Sequence, residues 1–394
     1  MAVFYPIVKK VLAGKVEPKD YNFYDYDGTL LYSYTEAELA SLAALPVLPK
    51  HEGLTCQGWN WTLDELKAEG KETDVGAIYT TDDGATRLYI TIPYASYKAN
   101  LRFLQSVASA VTINWGDGSS TQKNGNTSVN ITHTYAEPGD YVITLTVNEG
   151  ATLTLGNGSS SYSVCGSSSQ SVILEKVEIG ERTKLANYAF VSCIFLESLT
   201  IPSTDAYAYA QYAFYNCQSL LHLNQPSVQV AGYAFSVGDY MFNMSYFYRI
   251  VLPAETSAIR KRAFDTCKSL SHINLPNKTN LNSDGYCFSD CTSLHSIVLP
   301  ESATTIPQET FNGATYLYTV VALGDITSLN SRAFNNTSNL GVLDLTACTT
   351  VPSVQTNTFS GYPSGFRIYV PAALYDEWIV ATNWAALADY IVAK

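Results

Sequence analysis

From about residue 186 onward, the apolar positions of the chain recur in one frame. A small residue and a Phe come first, then a small residue three positions on, Leu three further, and apolar–x–apolar–Pro. The clearest copies are Ala213-Phe214…Cys217…Leu220…Leu223, Ala263-Phe264…Cys267…Leu270…Ile273-Asn-Leu275-Pro276 and Cys287-Phe288…Cys291…Leu294…Ile297-Val-Leu299-Pro300. Weaker copies start at Phe190, Phe235, Phe311, Phe334 and Phe359, giving eight anchors 21–29 residues apart. That regularity predicts a solenoid of about eight stacked repeats. Each L-x-x-I-x-L-P segment predicts a short parallel strand with alternate residues inward, ended by a Pro that cannot extend a ladder. The Phe and the small residue after it fill the opposite wall. No repeat can bury them alone, so each leans on its neighbours.

Four of the eight cysteines, Cys193, Cys217, Cys267 and Cys291, fall three residues after an anchor, where other repeats carry Gly238, Ala314, Thr337 and Tyr362. A column that alternates Cys with mostly small residues is a packing column, and a free thiol packs as a small hydrophobe. Disulfides and a zinc site are the rival readings. Repeats roughly 5 Å apart bring the thiols near one another. Parallel Cβ vectors, however, disfavour bridging, and cysteines strung along a stack cannot surround one zinc.

With Cys217-Gln-Ser-Leu220, Cys267-Lys-Ser-Leu270 and Cys291-Thr-Ser-Leu294 following their Ala-Phe or Cys-Phe anchors, residues 172–394 resemble the BspA-type leucine-rich repeat proteins of bacterial surfaces. The resemblance implies adhesion or ligand binding and no reaction. The chain end fits it: Phe366-Arg-Ile-Tyr-Val-Pro371 leads into an amphipathic run through Trp378 and Trp384, expected to cap the stack as a helix from its first-turn Pro.

Residues 100–150 show a second pattern. Val111-Thr-Ile-Asn-Trp115-Gly-Asp-Gly118, His133-Thr-Tyr135 and Pro138-Gly-Asp-Tyr141 punctuate alternating apolar strands, with Tyr135 placed to pin a corner. This resembles a PKD domain, an Ig-like sandwich whose first strands should include Arg87–Pro93. The Gly/Ser-rich stretch that follows reads as a linker.

Near the N-terminus, Asp25-Tyr-Asp27-Gly-Thr29 matches the nucleophile loop of haloacid-dehalogenase phosphatases, with Asp82-Asp83 as a possible metal pair. That nucleophile must follow a buried apolar strand and needs a larger scaffold, so a β-hairpin is the preferred reading. Thr35/Glu38 and Thr62/Glu65 are capping boxes for two short helices. A Tyr-Asp-Gly-Thr hairpin with a Gly58-Trp-Asn-Trp61 motif is similar to modules beside leucine-rich repeats in gut-bacterial and prophage tail proteins.

Composition narrows the function. Only 15% of residues are charged, against about 25% in ordinary soluble domains, while tyrosine reaches 29 copies. This diet suits extracellular β-rich proteins. The net charge of −12 without a Lys/Arg patch argues against nucleic acid. No window of about 18 apolar residues suggests membrane insertion. The first ten residues lack a basic region followed by an apolar one, so no secretory signal is expected in this chain.

The expected architecture is therefore mixed and β-rich. It comprises an α+β N-terminal module (1–84), a PKD-like β-sandwich (85–155), a Gly/Ser-rich linker (156–171), a leucine-rich repeat solenoid (172–371) and a C-terminal helical cap (372–394). Ligand contacts are expected on the outward strand row, at His222, Asn224, Arg249, His272, Asn274, Asp344, Arg367 and Tyr369. A further set is expected in an apparent insertion after Phe235, at Tyr240, Phe242, Tyr246 and Tyr248, because insertions in solenoids fall on one face. His222 and His272 stand two repeats apart, roughly 10 Å, too far to share a metal. No catalytic residue, metal or cofactor is expected. The expected partner is a host or neighbouring-cell surface protein or glycan, with a homo-oligomer or virion contact through the N-terminal module. A phage tail-associated receptor-binding protein and a BspA-type cell-surface adhesin are the two leading expectations, with location at the extracellular surface or on a virion.

Overall fold

The computed structural model describes residues 19–69, 73–105, 111–123, 128–148, 150–167, 173–180, 182–201, 210–220, 222–224, 235–250, 252, 256–281 and 283–394. The N-terminal module folds as the hairpin reading requires. Strands β1 (Tyr21–Tyr24) and β2 (Leu30–Tyr34) pair antiparallel. They turn where Asp25 N–H donates to Thr29 O at 2.8 Å and Gly28 takes φ +83°. Helix α1 (Glu36–Ser41) carries the complete Thr35/Glu38 capping box. Strand β3 (Leu54–Trp59), helix α2 (Leu63–Glu69) and strand β4 (Thr73–Thr81) complete a sheet in the order β2-β1-β4-β3. The side chain of Glu65, half of the second expected box, lies outside the described residues. Tyr21, Phe23, Trp59, Leu66, Val75 and Tyr79 form this module's own core, separate from that of the rest of the chain.

The sandwich follows from period-two patterning. Strand β5 (Thr86–Ile92) buries every second residue. With β6 (Tyr97–Gln105), β7 (Val111–Asn114), β8 (Ser120–Lys123), β9 (Ser128–Tyr135), β10 (Gly139–Val147) and β11 (Leu153–Leu155) it builds two sheets, β5-β10-β7-β8 and β11-β6-β9. The Trp-Gly-Asp-Gly motif is the corner of this sandwich. Buried Trp115 stacks on His133 with centroids 4.6 Å apart, and the Tyr135 hydroxyl donates to Trp115 O at 2.9 Å. Gly116 sits at φ +84°, where a Cβ would stand 2.8 Å from Val142 O.

The expected linker is corrected. A two-strand ribbon, β12 (Tyr162–Ser163) and β13 (Gly166–Ser167), brackets fully buried Val164 and Cys165. Val164 accepts from Arg102 N–H at 2.8 Å and donates to Ala189 O at 2.7 Å, tying the sandwich to the first repeat. Both sandwich sheets then run straight into the solenoid. Strand β14 (Ile173–Glu178) pairs antiparallel with β5, and β15 (Thr183–Leu185) pairs parallel with β11. Strands β16 (Ser198–Thr200) and β17 (His222–Asn224) extend the first sheet, in the order β17-β16-β14-β5-β10-β7-β8. A Gly/Ser composition hides this because two apolar side chains are enough to seat the ribbon, while the remaining pairing is done by backbone. The sandwich covers the open end of the repeat stack with both of its sheets.

In the solenoid, stacked Phe rings form the wall opposite the strands. Phe190, Phe214, Phe242, Phe264, Phe288, Phe311, Phe334 and Phe359 stack in series with centroids 5.2–5.9 Å apart. The third anchor is therefore Phe242, and the expectation of Phe235 is corrected. Ala234-Phe235 copies the motif, but Phe235 begins a strand (Phe235–Val237) that pairs parallel with Thr256–Ile259 on another wall. The extra residues thus precede the anchor, largely in 225–234, outside the described residues. Residues two before and two after the anchors adopt left-handed backbone, among them Tyr188, Tyr212, Tyr240, Arg262 and Tyr286 before, and Ser192, Asn216, Met244, Thr266 and Asp290 after. Each such non-glycine residue costs about 1–3 kcal/mol. The cost is offset because alternate N–H groups of this turn donate to the next repeat, as in Phe264 N–H to Cys287 O at 3.0 Å.

The outward strand row is in register as expected: Ser296, Thr319, Val342 and Arg367 are direct partners along one five-stranded sheet. The C-terminal cap differs from the helix expected. It consists of a 3-10 turn (Ala372–Leu374), one helical turn (Tyr375–Trp378), a second 3-10 segment (Ala385–Tyr390) and a strand (Ile391–Ala393) that adds to Arg367–Val370. Trp384 is buried with its Nε1 donating to Pro352 O at 2.7 Å, which bends the run across the end of the stack.

Candidate functional site

The cysteine column serves packing. All eight cysteines are free thiols, and every one except exposed Cys56 is buried. Cys217, Cys267 and Cys291 each point their Sγ at the carbonyl of the preceding repeat's Phe, at 3.2, 3.0 and 3.1 Å. Ser245, in the same column, donates to Phe214 O at 3.0 Å. Burial pushes the Cys193 thiol up to about 12. Among the described residues no group of three or more His, Cys, Asp or Glu gathers to hold a metal.

The acidic loop of the N-terminal module serves its turn. Asp25 is buried, accepts from Tyr26 N–H at 2.8 Å and pairs with His51 Nε2 at 2.9 Å. Asp27 accepts from Thr29 N–H at 2.9 Å. Asp83 pairs with Arg87, whose hydrogen bonds hold the carboxyl down at about 2.

The expected strand-face residues separate into distinct roles. The side chains of His222 and Asn224 lie outside the described residues. Arg249 sets its guanidinium 3.6 Å from the centroid of Trp61 and donates to Asn60 O. His272 Nδ1 meets Ser271 Oγ at 2.7 Å, with Tyr248 beside its ring. Asn274 brackets Leu252, donating to its carbonyl and accepting from its N–H, so it splices two repeats. Asp344 is buried and holds Thr346 and Lys394, the latter at 2.8 Å. Tyr369 lies under the same Lys394, 5.2 Å from the ring centroid. Arg367 is exposed, its guanidinium folded back on Phe366 O.

Within the stretch expected as a contact loop, Phe242 is corrected: it is a buried rung of the Phe stack. Tyr240 is a half-buried rung of a second ladder, 4.6 Å from Tyr212, which itself stacks 4.7 Å from Tyr188. Tyr246 is half-buried and Tyr248 exposed. Both ladders arise because equivalent positions of successive repeats lie one strand spacing apart.

An open patch lies farther along the stack, on the five-stranded sheet that begins at Ser296–Leu299. Val298, Tyr316, Tyr318 and Leu323 are 48–65% exposed, and His295 stacks on Tyr318 with centroids 5.9 Å apart. A Cβ on Gly341, in the next repeat, would strike the Tyr318 ring, so the missing side chain there gives the ring its place. Val298 falls on the outward row that the repeat frame defines, whereas Tyr316, Tyr318 and Leu323 are not marked by that frame, yet a signal existed. Tyr316 and Tyr318 occupy columns that hold Ser269 and Ser271 two repeats earlier.

Residues 160–237 and 235–364 match the BspA type leucine rich repeat region in six copies. The chain belongs to the BspA-type leucine-rich repeat family. Residues 94–163 match the PKD domain, in agreement with the sandwich. Three solved structures are similar to this BspA-type protein. The T. pallidum leucine-rich repeat protein is 24% identical with a TM-score of 0.29, over 42% of this chain and 66% of that one. A leucine-rich cell surface protein of Faecalibacterium prausnitzii is 20% identical with a TM-score of 0.28, over 51% and 68%. A leucine-rich repeat protein of Bacteroides ovatus is 16% identical with a TM-score of 0.20, over 51% and 76%. The chain thus spans about two thirds of the length of the first of these. No curated protein matches.

Proposed function

We propose that this BspA-type protein is a non-enzymatic recognition protein of an extracellular surface, binding a protein or glycan through the strand face of its last four repeats. One observation carries the reading: on that face Val298, Tyr318 and Arg367 stay exposed, while Asp344 on it and Asn274 one repeat earlier are spent inside the fold. Exposed apolar surface set among polar residues is what contact sites present.

The test is binding of fluorescently labelled full chain to a glycan array and to intact bacterial and host cells. Val298→Asp with Tyr318→Ala should lower binding at least tenfold, whereas Tyr212→Ala, on the other wall, should not. Equal binding by the strand-face variant sinks the proposal. The narrower choice between a cell-surface adhesin and a phage tail protein is read by immunogold labelling of the producing bacterium and of its induced phage particles.

A further inference from the structure

Both tryptophans of the Gly58-Trp-Asn-Trp61 motif pack in the core of the N-terminal module, and the second also reaches a residue of the repeats. Trp59 is buried in the N-terminal core and donates Nε1–H to Pro46 O at 2.8 Å. Asn60 exchanges hydrogen bonds with Gly76, accepting on its side chain at 2.8 Å, which fixes the loop on β4. The next residue, Trp61, turns a ring face to Arg249, 189 positions away from Asn60 in sequence. Arg249 is an outward strand residue, in register with His272 of the following repeat. The chain's own loop therefore sits on the strand face, upstream of the open patch at Ser296–Arg367.

The seat is thin. The module has a core of its own, distinct from the one shared by sandwich and repeats, and the turn 82–85 joins it to β5. A guanidinium laid over an indole and hydrogen-bonded beside it is a specific contact, yet one that an aromatic group from another molecule can replace.

We propose that the Asn60-Trp61 edge of the N-terminal module is a built-in occupant of the strand face at Arg249, and that its release extends the open face by the Arg249–His272 pair. The inference rests on the strand face being the recognition surface. It adds a regulation of that surface: a partner presenting its own aromatic side chain competes with Trp61, and the face is longer after release than before.

Hydroxyl-radical footprinting and small-angle scattering of the full chain test the seat without any ligand. Arg249→Ala should raise oxidation of Trp61 at least threefold, leave Trp59 unchanged and increase the radius of gyration. Arg249→Lys, which keeps a cation over the ring, should stay close to the unsubstituted protein. Arg367→Ala, on the uncovered part of the face, should change neither readout. Unchanged Trp61 oxidation in Arg249→Ala overturns the proposal. So does a joint rise at Trp59 and Trp61, since Arg249 would then be holding the module's fold and not its seat. Loss of cell binding by the Val298 and Tyr318 variants bears only on the recognition surface and leaves these readouts untouched.

Discussion

His133 Nε2 lies 2.7 Å from Asp117 Oδ2 while its ring stacks on Trp115, so one histidine closes the Trp-Gly-Asp-Gly corner from two sides. Burial pushes the Asp117 carboxyl up, but hydrogen bonds from Ser119 and His133 outweigh it and hold the group at about 2. The folded value is below the ordinary carboxylate value near 3.9, so the unfolded chain binds the proton more readily. This stabilisation is present above about pH 4 and is lost as the pH falls toward 2. Thermal melts of Asp117→Asn should therefore lie below those of the unsubstituted protein at pH 6 and converge with them near pH 2. A constant gap across that range would contradict the assignment.

The thiol column predicts unequal chemistry among eight cysteines. Iodoacetamide under native conditions, followed by mass spectrometry, should modify Cys56 and spare the seven buried thiols, whose reactive thiolate form burial suppresses. Cys267→Ser should be nearly neutral because Ser245 already makes the equivalent bond. Cys267→Val, which loses the donor and adds bulk, should cost about 1–3 kcal/mol in denaturant unfolding.

Phe288 stacks between Phe264 and Phe311 at 5.5 and 5.9 Å. Phe288→Ala should cost about 3–5 kcal/mol, the range for emptying an aromatic core site. Because repeats are stabilised through their neighbours, the loss should appear as a separate early unfolding step rather than a uniform shift. A single transition of unchanged midpoint would argue against the stack as the binding wall between repeats.

Gly116 tests the sandwich corner. Its positive φ and the carbonyl of Val142 behind it leave no room for a methyl group. Gly116→Ala should lower stability by about 2 kcal/mol or more, while Gly118→Ala, with open space around it, should carry only the backbone strain of about 1 kcal/mol. Equal losses at the two positions would contradict this reading of the turn.

Much of the architecture was legible because it repeats. A stacked Phe every 22–28 residues, with Leu and an alternating strand behind it, has one way to bury its apolar face, and the in-register row Ser296–Thr319–Val342–Arg367 followed from counting alone. The corner of the sandwich was legible for the same reason: Trp115, His133 and Tyr135 are residue types whose geometry leaves few alternatives. The sequence could not say which of Phe235 and Phe242 enters the stack, because both carry the apolar frame and only the ring contacts with Phe214 and Phe264 separate them.

What the residues determined by themselves is the period, the wall each side chain serves and the packing role of the thiols, all properties of local spacing. What only the tertiary structure decided is which polar groups remain free. Asn274, Asp344 and Arg249 look like ligand readers in the sequence, but their partners Leu252, Lys394 and Trp61 are 22, 50 and 188 positions away. Hydrogen-bond satisfaction is settled by whatever folding brings within about 3 Å, and spacing along the chain does not contain that information.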